Sequence, residues 1–209
     1  RNRLEVTLLH ETSPEEYRHV LEKTIAEADT LLATFNALLM IARAEAGSLR
    51  ETMTLVDPAA VVRDAADLYE PLAEEEGLRL ELDVQEGLQV RGNRELLSRA
   101  IANLLDNAIK HGHEASAGSD PVIRVAVMSG QAAGRVQLSV ADRGMGIPAD
   151  ERTRVLERFV RLEASRNTPG SGLGLSLVAA VARLHGGRLD LEDNEPGLRA
   201  VLSLPLQGR

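Results

Sequence analysis

The 209-residue sequence contains no cysteine, which excludes a disulfide scaffold, a thiolate zinc site and a cysteine nucleophile together. Tryptophan is missing as well. The aromatic residues are only Tyr17, Phe35, Tyr69 and Phe159, so the core must be aliphatic. Apolar runs are a few residues long, far short of the ~20 that a membrane-spanning helix requires, and no secretion signal opens the chain. The charge has the wrong sign for a sequence-independent nucleic-acid binder, with a net value of −8 and a pI of about 5.2. A soluble chain with no nucleic-acid or membrane contact of its own is expected. Lysine is scarce too: Lys23 and Lys110 stand among 24 basic residues, a hint that a compact point charge is wanted at those places. The chain opens on Arg1 within a helical pattern and without an initiator Met, and is expected to be a piece of something longer.

What is present divides in two. Ser13-Pro14-Glu15-Glu16 reads as a helix start, with Ser13 as N-cap and Glu16 closing a capping box. From there Leu21, Ile25, Ala28, Leu32, Phe35, Leu39, Ala42 and Ala46 recur at spacings of four and three, a heptad seam that Leu31 and Leu38 widen. Gly47 ends it. Residues 1–9 read as the tail of a preceding helix, and the seam needs a second chain to bury it. After a connector at 47–56, with a strand-like run Met53–Val56, the pattern becomes mixed. Helices are predicted at 58–76, about 93–111 and about 173–185, and strands at 78–84, 122–128, 135–141, 188–193 and 198–204. The blocks of strands and helices predict an α+β fold with helices packed on one face of a mixed sheet.

Three features can carry chemistry. On the helix at 93–111, Asn103, Asn107 and Lys110 fall within about 60° of one another, opposite the apolar face of Leu97, Ala100, Ile101, Leu104, Leu105 and Ala108. Asn is a poor residue in mid-helix, although a solvated polar face would also account for this stripe. Asp142-Arg143-Gly144-Met145-Gly146-Ile147 follows a strand directly, and fits either a tight turn or a pocket whose backbone approaches a ligand closely. Gly170-Ser171-Gly172-Leu173-Gly174 leads into a helix, where exposed N–H groups suit an anion.

In this order, NLLDNAIKHG, DRGMGIP, ERFVRLEASR and GSGLGLSLV resemble the N, G1, F and G2 boxes of the sensor histidine kinases of two-component systems. The resemblance covers 57–209 as an ATP-binding catalytic domain of the Bergerat type, an α/β sandwich. It extends over 1–46 as the later part of a helical-hairpin dimerisation and phosphotransfer segment, with 47–56 as linker. It implies ATP and Mg²⁺ as cofactors, a homodimer joined through the N-terminal helices, a response-regulator receiver domain as partner, and a cytoplasmic location.

The resemblance also implies roles. Asp142 would accept a hydrogen bond from the adenine amino group, which disfavours guanine. Gly144 and Gly146 would let the chain pass the base, with Ile147 as a wall. Asn107 would ligate Mg²⁺, Lys110 would meet the phosphates, and His111 would lie near the ribose or phosphates. Phe159, with Arg158 and Arg161, would open a lid at 158–172, and Gly170, Gly172, Leu173 and Gly174 would bring its end to the phosphates. Gyrase and chaperone relatives carry a Glu that activates water one turn before the Mg²⁺-binding Asn. Here that position is Asn103, which cannot take a proton, so phosphoryl transfer is expected rather than hydrolysis.

One departure stands out. The family phosphorylates a His in the form H-E/D-x-x-T/N-P, and His10, His19, His111, His113 and His185 all lack that setting. His10-Glu11 precedes Pro14 by one residue too few and reads as an interhelical turn, so the acceptor is expected to be absent from these residues. A nucleotide-binding and dimerisation module without phosphotransfer is the alternative reading. His185, just before Gly186-Gly187, sits where a helix C-terminus favours a cation.

Overall fold

A computed structural model describes residues 13–46, 52–112, 121–130, 134–162 and 171–207. The predicted tail of a preceding helix at 1–9 lies outside them, as do His10 and His113. Helix α1 (Pro14–Glu45) follows Ser13, whose carbonyl takes the Tyr17 N–H at 3.0 Å. Its 32 residues span about 48 Å. Strand β1 (Thr54–Val56) leads into α2 (Pro58–Glu75), which starts sharply because the Asp57 side chain caps Ala59 N–H and Pro58 needs no donor. Then come β2 (Arg79–Val84), β3 (Val90–Gly92), α3 (Arg94–His111), β4 (Val122–Ser129) and β5 (Arg135–Ala141). A 3₁₀ turn at Arg154–Leu156, α4 (Gly174–Leu184), β6 (Arg188–Asp193) and β7 (Leu198–Pro205) complete the order.

The fold is α+β, as expected. Five strands form a mixed sheet in the order β2-β4-β5-β7-β6, with β2 and β4 parallel and every other pair antiparallel. Alternate side chains (Val125 and Val127 of β4, Leu138 and Val140 of β5, Leu202 and Leu204 of β7) join the buried faces of α2, α3 and α4 in one aliphatic core. The opposite face is polar and carries the cross-strand pairs Arg124–Glu81 at 3.2 Å and Arg199–Glu192 at 2.7 Å. The element that periodicity missed is β3, which pairs antiparallel with β1 outside the main sheet.

Helix α1 divides its apolar residues. Ile41 is buried, and Ala37, Leu38 and Met40 pack with it on the core, where α1 lies against α4. Leu21, Ile25, Leu32, Phe35 and Leu39 remain exposed. Leu38, grouped by the sequence with the seam, belongs instead to the stripe of Ile41, three positions on, and packs against the aliphatic core.

Candidate active site

Helix α3 supplies the first wall. Asn93 caps it by accepting Leu96 N–H at 3.0 Å, and an unbroken apolar face from Leu96 to Ile109 fixes its rotation on the sheet. Asn103 and Asn107 are thereby turned toward the start of α4. A methyl group added at Gly174 would stand 3.2 Å from Asn103 Oδ1 and 3.7 Å from Asn107 Nδ2, so the glycine marks where the first turn of α4 approaches both amides. Asn103 donates its side-chain N–H to the Arg99 carbonyl at 2.8 Å, which leaves its oxygen toward Gly174. The structure thus brings Asn103, Asn107 and Gly174 together. Lys110 lies one turn further along, its Nζ 2.6 Å from Asp106 Oδ2. Sequence reasoning missed Asp106, although it stands four residues before Lys110, where a helical ion pair is expected.

The loop after β5 makes the second wall. Asp142 is 7% exposed. Its Oδ1 accepts N–H bonds from Gly144 at 2.9 Å and Leu198 at 3.2 Å, while no described residue donates to Oδ2. Burial pushes the carboxyl above the ordinary aspartate range, and the two backbone donors and nearby His111 pull it partly back. Gly144 is required by space: a Cβ there would lie 2.0 Å from the His111 carbonyl, so the loop runs against the end of α3. Gly146 is required twice, by φ +69° and by the Gly197 carbonyl 2.8 Å from where a Cβ would stand. The Ile147 carbonyl accepts Arg152 Nε–H at 2.9 Å.

The third group meets at Phe159. Its backbone N–H reaches the Gly172 carbonyl at 3.0 Å, joining the two flanks of the segment 158–172. Phe159 is exposed and has φ 65°, unusual for a side chain of its size. Arg158 is exposed and Arg161 half-buried, the latter's stem against Gly172. Leu173 is buried in the core, and its carbonyl receives the Ser176 hydroxyl at 2.9 Å. Residues 163–170, Gly170 among them, lie outside the described residues.

Residues 92–208 match the family of histidine kinase-, DNA gyrase B-, and HSP90-like ATPases. The chain is similar to the sensor protein IrlS of Burkholderia pseudomallei (strain K96243), at 35% identity over 202 residues, covering 96% of this chain and 41% of that protein. It is also similar to the sensor-like histidine kinase SenX3 of Mycolicibacterium smegmatis, at 31% identity over 204 residues, covering 97% and 51% respectively. Among solved structures, full-length ShkA in complex with AMPPNP superposes with a TM-score of 0.77 at 25% identity, over 96% of this chain and 41% of that one. The chain therefore spans about half the length, or less, of these two curated relatives.

Proposed function

Because the chain belongs to the histidine kinase-, DNA gyrase B-, and HSP90-like ATPase family, as the catalytic region of a sensor histidine kinase, we propose that it binds Mg-ATP and donates the γ-phosphoryl group to a histidine, for relay to an aspartate of a response regulator. The observation that carries this reading is Asp142, a buried carboxylate with one oxygen held by backbone N–H groups and the other unclaimed by any described residue. Such an oxygen suits an exocyclic amino group and rejects the oxo group of guanine, which would leave it unpaired.

The phosphates then extend between Asn107, Lys110 and the N-terminus of α4, where N–H groups and the helix dipole favour negative charge. Lys110 exchanges Asp106 for phosphate at small cost, since an exposed pair of this kind contributes under about 1 kcal/mol. The donors fit Mg²⁺ that arrives on the phosphates: Asn107 offers one neutral amide oxygen, and no group of three potential His, Cys, Asp or Glu ligands occurs among the described residues. The cation would supply charge neutralisation on the phosphate oxygens. Asn103 has no basic atom with which to activate water, which favours transfer of the γ-phosphoryl group to a presented nucleophile such as a histidine imidazole nitrogen.

The exposed stripe Leu21, Ile25, Leu32, Phe35 and Leu39 supports the assignment of α1 to a dimerisation segment, closed by a second copy. No described helix is long and apolar enough to cross a membrane. The test is calorimetry with ATP and Mg²⁺. Asp142→Asn is expected to weaken ATP about 100- to 1,000-fold, roughly 3–4 kcal/mol. Equal affinity for ATP in the two proteins would overturn the assignment.

A further inference from the structure

Most of what holds Asp142 comes from far along the chain. Its backbone N–H donates to the Leu198 carbonyl at 2.9 Å, and its Oδ1 receives the Leu198 N–H at 3.2 Å. Its carbonyl accepts the side-chain N–H of Asn194 at 2.6 Å, across 52 residues of sequence. Three of the four polar atoms of Asp142 are therefore met by the β6–β7 hairpin. The turn is closed on itself by Asn194 N–H to the Gly197 carbonyl at 3.1 Å. It also fits too tightly for any other shape. A Cβ on Gly197, whose φ is +114°, would lie 2.0 Å from the Asp142 carbonyl. A second tie runs from Asp193 to Arg152 at 3.6 Å and from Arg152 to the Ile147 carbonyl at 2.9 Å, so both ends of the loop 142–147 are gripped from one hairpin.

Hydrogen bonding to a base amino group depends on direction, and the direction of a short aspartate side chain is set by its own peptide. We propose that Asn194 is a positioning residue for nucleotide selection: its amide fixes the peptide of Asp142 and so aims the free carboxylate oxygen at the adenine amino group. The inference rests on the reading of Asp142 given above. Asn194 would act through the Asp142 peptide rather than on the nucleotide. Removing it should act on base selection and leave the phosphate contacts of Asn107, Lys110 and Gly174 in place.

The experiment measures equilibrium binding of ATP and of GTP, with thermal unfolding, for the 209-residue chain and its Asn194→Ala, Asn194→Asp and Asp142→Asn variants. Asn194→Ala is expected to weaken ATP about tenfold and GTP less than twofold, which narrows the ATP-to-GTP ratio. Asn194→Asp keeps the size but loses the donor, and should narrow the ratio at least as much; it decides the matter if the alanine variant fails to fold. An unchanged ratio, or ATP and GTP weakening together alongside a lower melting temperature, overturns the inference. If Asp142→Asn narrows the ratio and neither Asn194 variant does, Asn194 has no such role while the reading of Asp142 stands. If Asp142→Asn itself leaves the ratio unchanged, both fall.

Discussion

His185 Nε2 lies 3.0 Å from the backbone nitrogen of Asn93 and accepts its N–H, while His185 Nδ1 lies 2.7 Å from the Val181 carbonyl. The two bonds require the neutral ring with its proton on Nδ1. They join the C-terminal end of α4 to the N-terminal end of α3, and Gly92 leaves just enough room, since a Cβ there would meet the ring at 2.7 Å. Away from this junction, the first turn of α4 at Gly174 approaches Asn103 and Asn107 of α3. One imidazole thus ties together the pair of helices between which the phosphates are proposed to lie.

Burial holds the His185 imidazole below its ordinary value of 6.5, outweighing the pull of the Val181 carbonyl. The sign follows from proton counts. Between the folded pKa and about 6.5 the unfolded chain binds more protons, so stability rises with pH there. The contribution of His185 is present above about pH 6.5 and is lost as pH falls through the folded pKa. Urea unfolding at pH 7.5 and 5.0 should show His185→Leu less stable by about 1–3 kcal/mol at the higher pH, because Asn93 N–H loses its acceptor. The deficit should shrink at the lower pH. A deficit that stays constant would mean that the ring does not titrate differently on folding.

The two faces of α1 predict two different losses. Ile41 is 1% exposed and Ile25 is 60% exposed. Ile41→Ala removes core contact with the catalytic domain and should cost about 2–4 kcal/mol. Ile25→Ala should change unfolding of the single chain by less than about 0.5 kcal/mol, but weaken self-association. Urea titration and sedimentation equilibrium on both variants separate the effects. Equal destabilisation by the two, with no change in association, would remove α1 from any dimer contact.

What the sequence revealed was what repeats locally. The seam of α1, its start at Ser13-Pro14 and the alternation at 78–84 each lie within one element, so their periods and end signals are visible without the fold. Strand β3 has three residues, too few for a period. The candidate site residues were named because three glycine- and asparagine-rich motifs stand in a fixed order. Their supports were not: Asn194 reaches Asp142 across 52 residues and His185 reaches Asn93 across 92, and neither pairing leaves a local trace. Leu38 was misread for a related reason. A helix face shows which residues are apolar, not which of two partners each one meets.

The last prediction concerns the acceptor. No histidine of the sequence has the H-E/D-x-x-T/N-P setting, and Asn103, proposed to stand where a water-activating Glu would be, has no basic atom. These are separate residues with separate consequences. Incubated with Mg-ATP labelled at the γ position, the chain should bind nucleotide, acquire no acid-labile phosphate and release inorganic phosphate negligibly. Fusing a helix that carries such a histidine ahead of Arg1 should restore labelling with unchanged nucleotide affinity, because Asn107, Lys110 and Asp142 are already in place. Asn103→Glu tests the other half: a carboxylate one turn before Asn107 should raise phosphate release without raising label. Label on His10 of the short chain, abolished by His10→Gln, would show that the segment before α1 carries the acceptor.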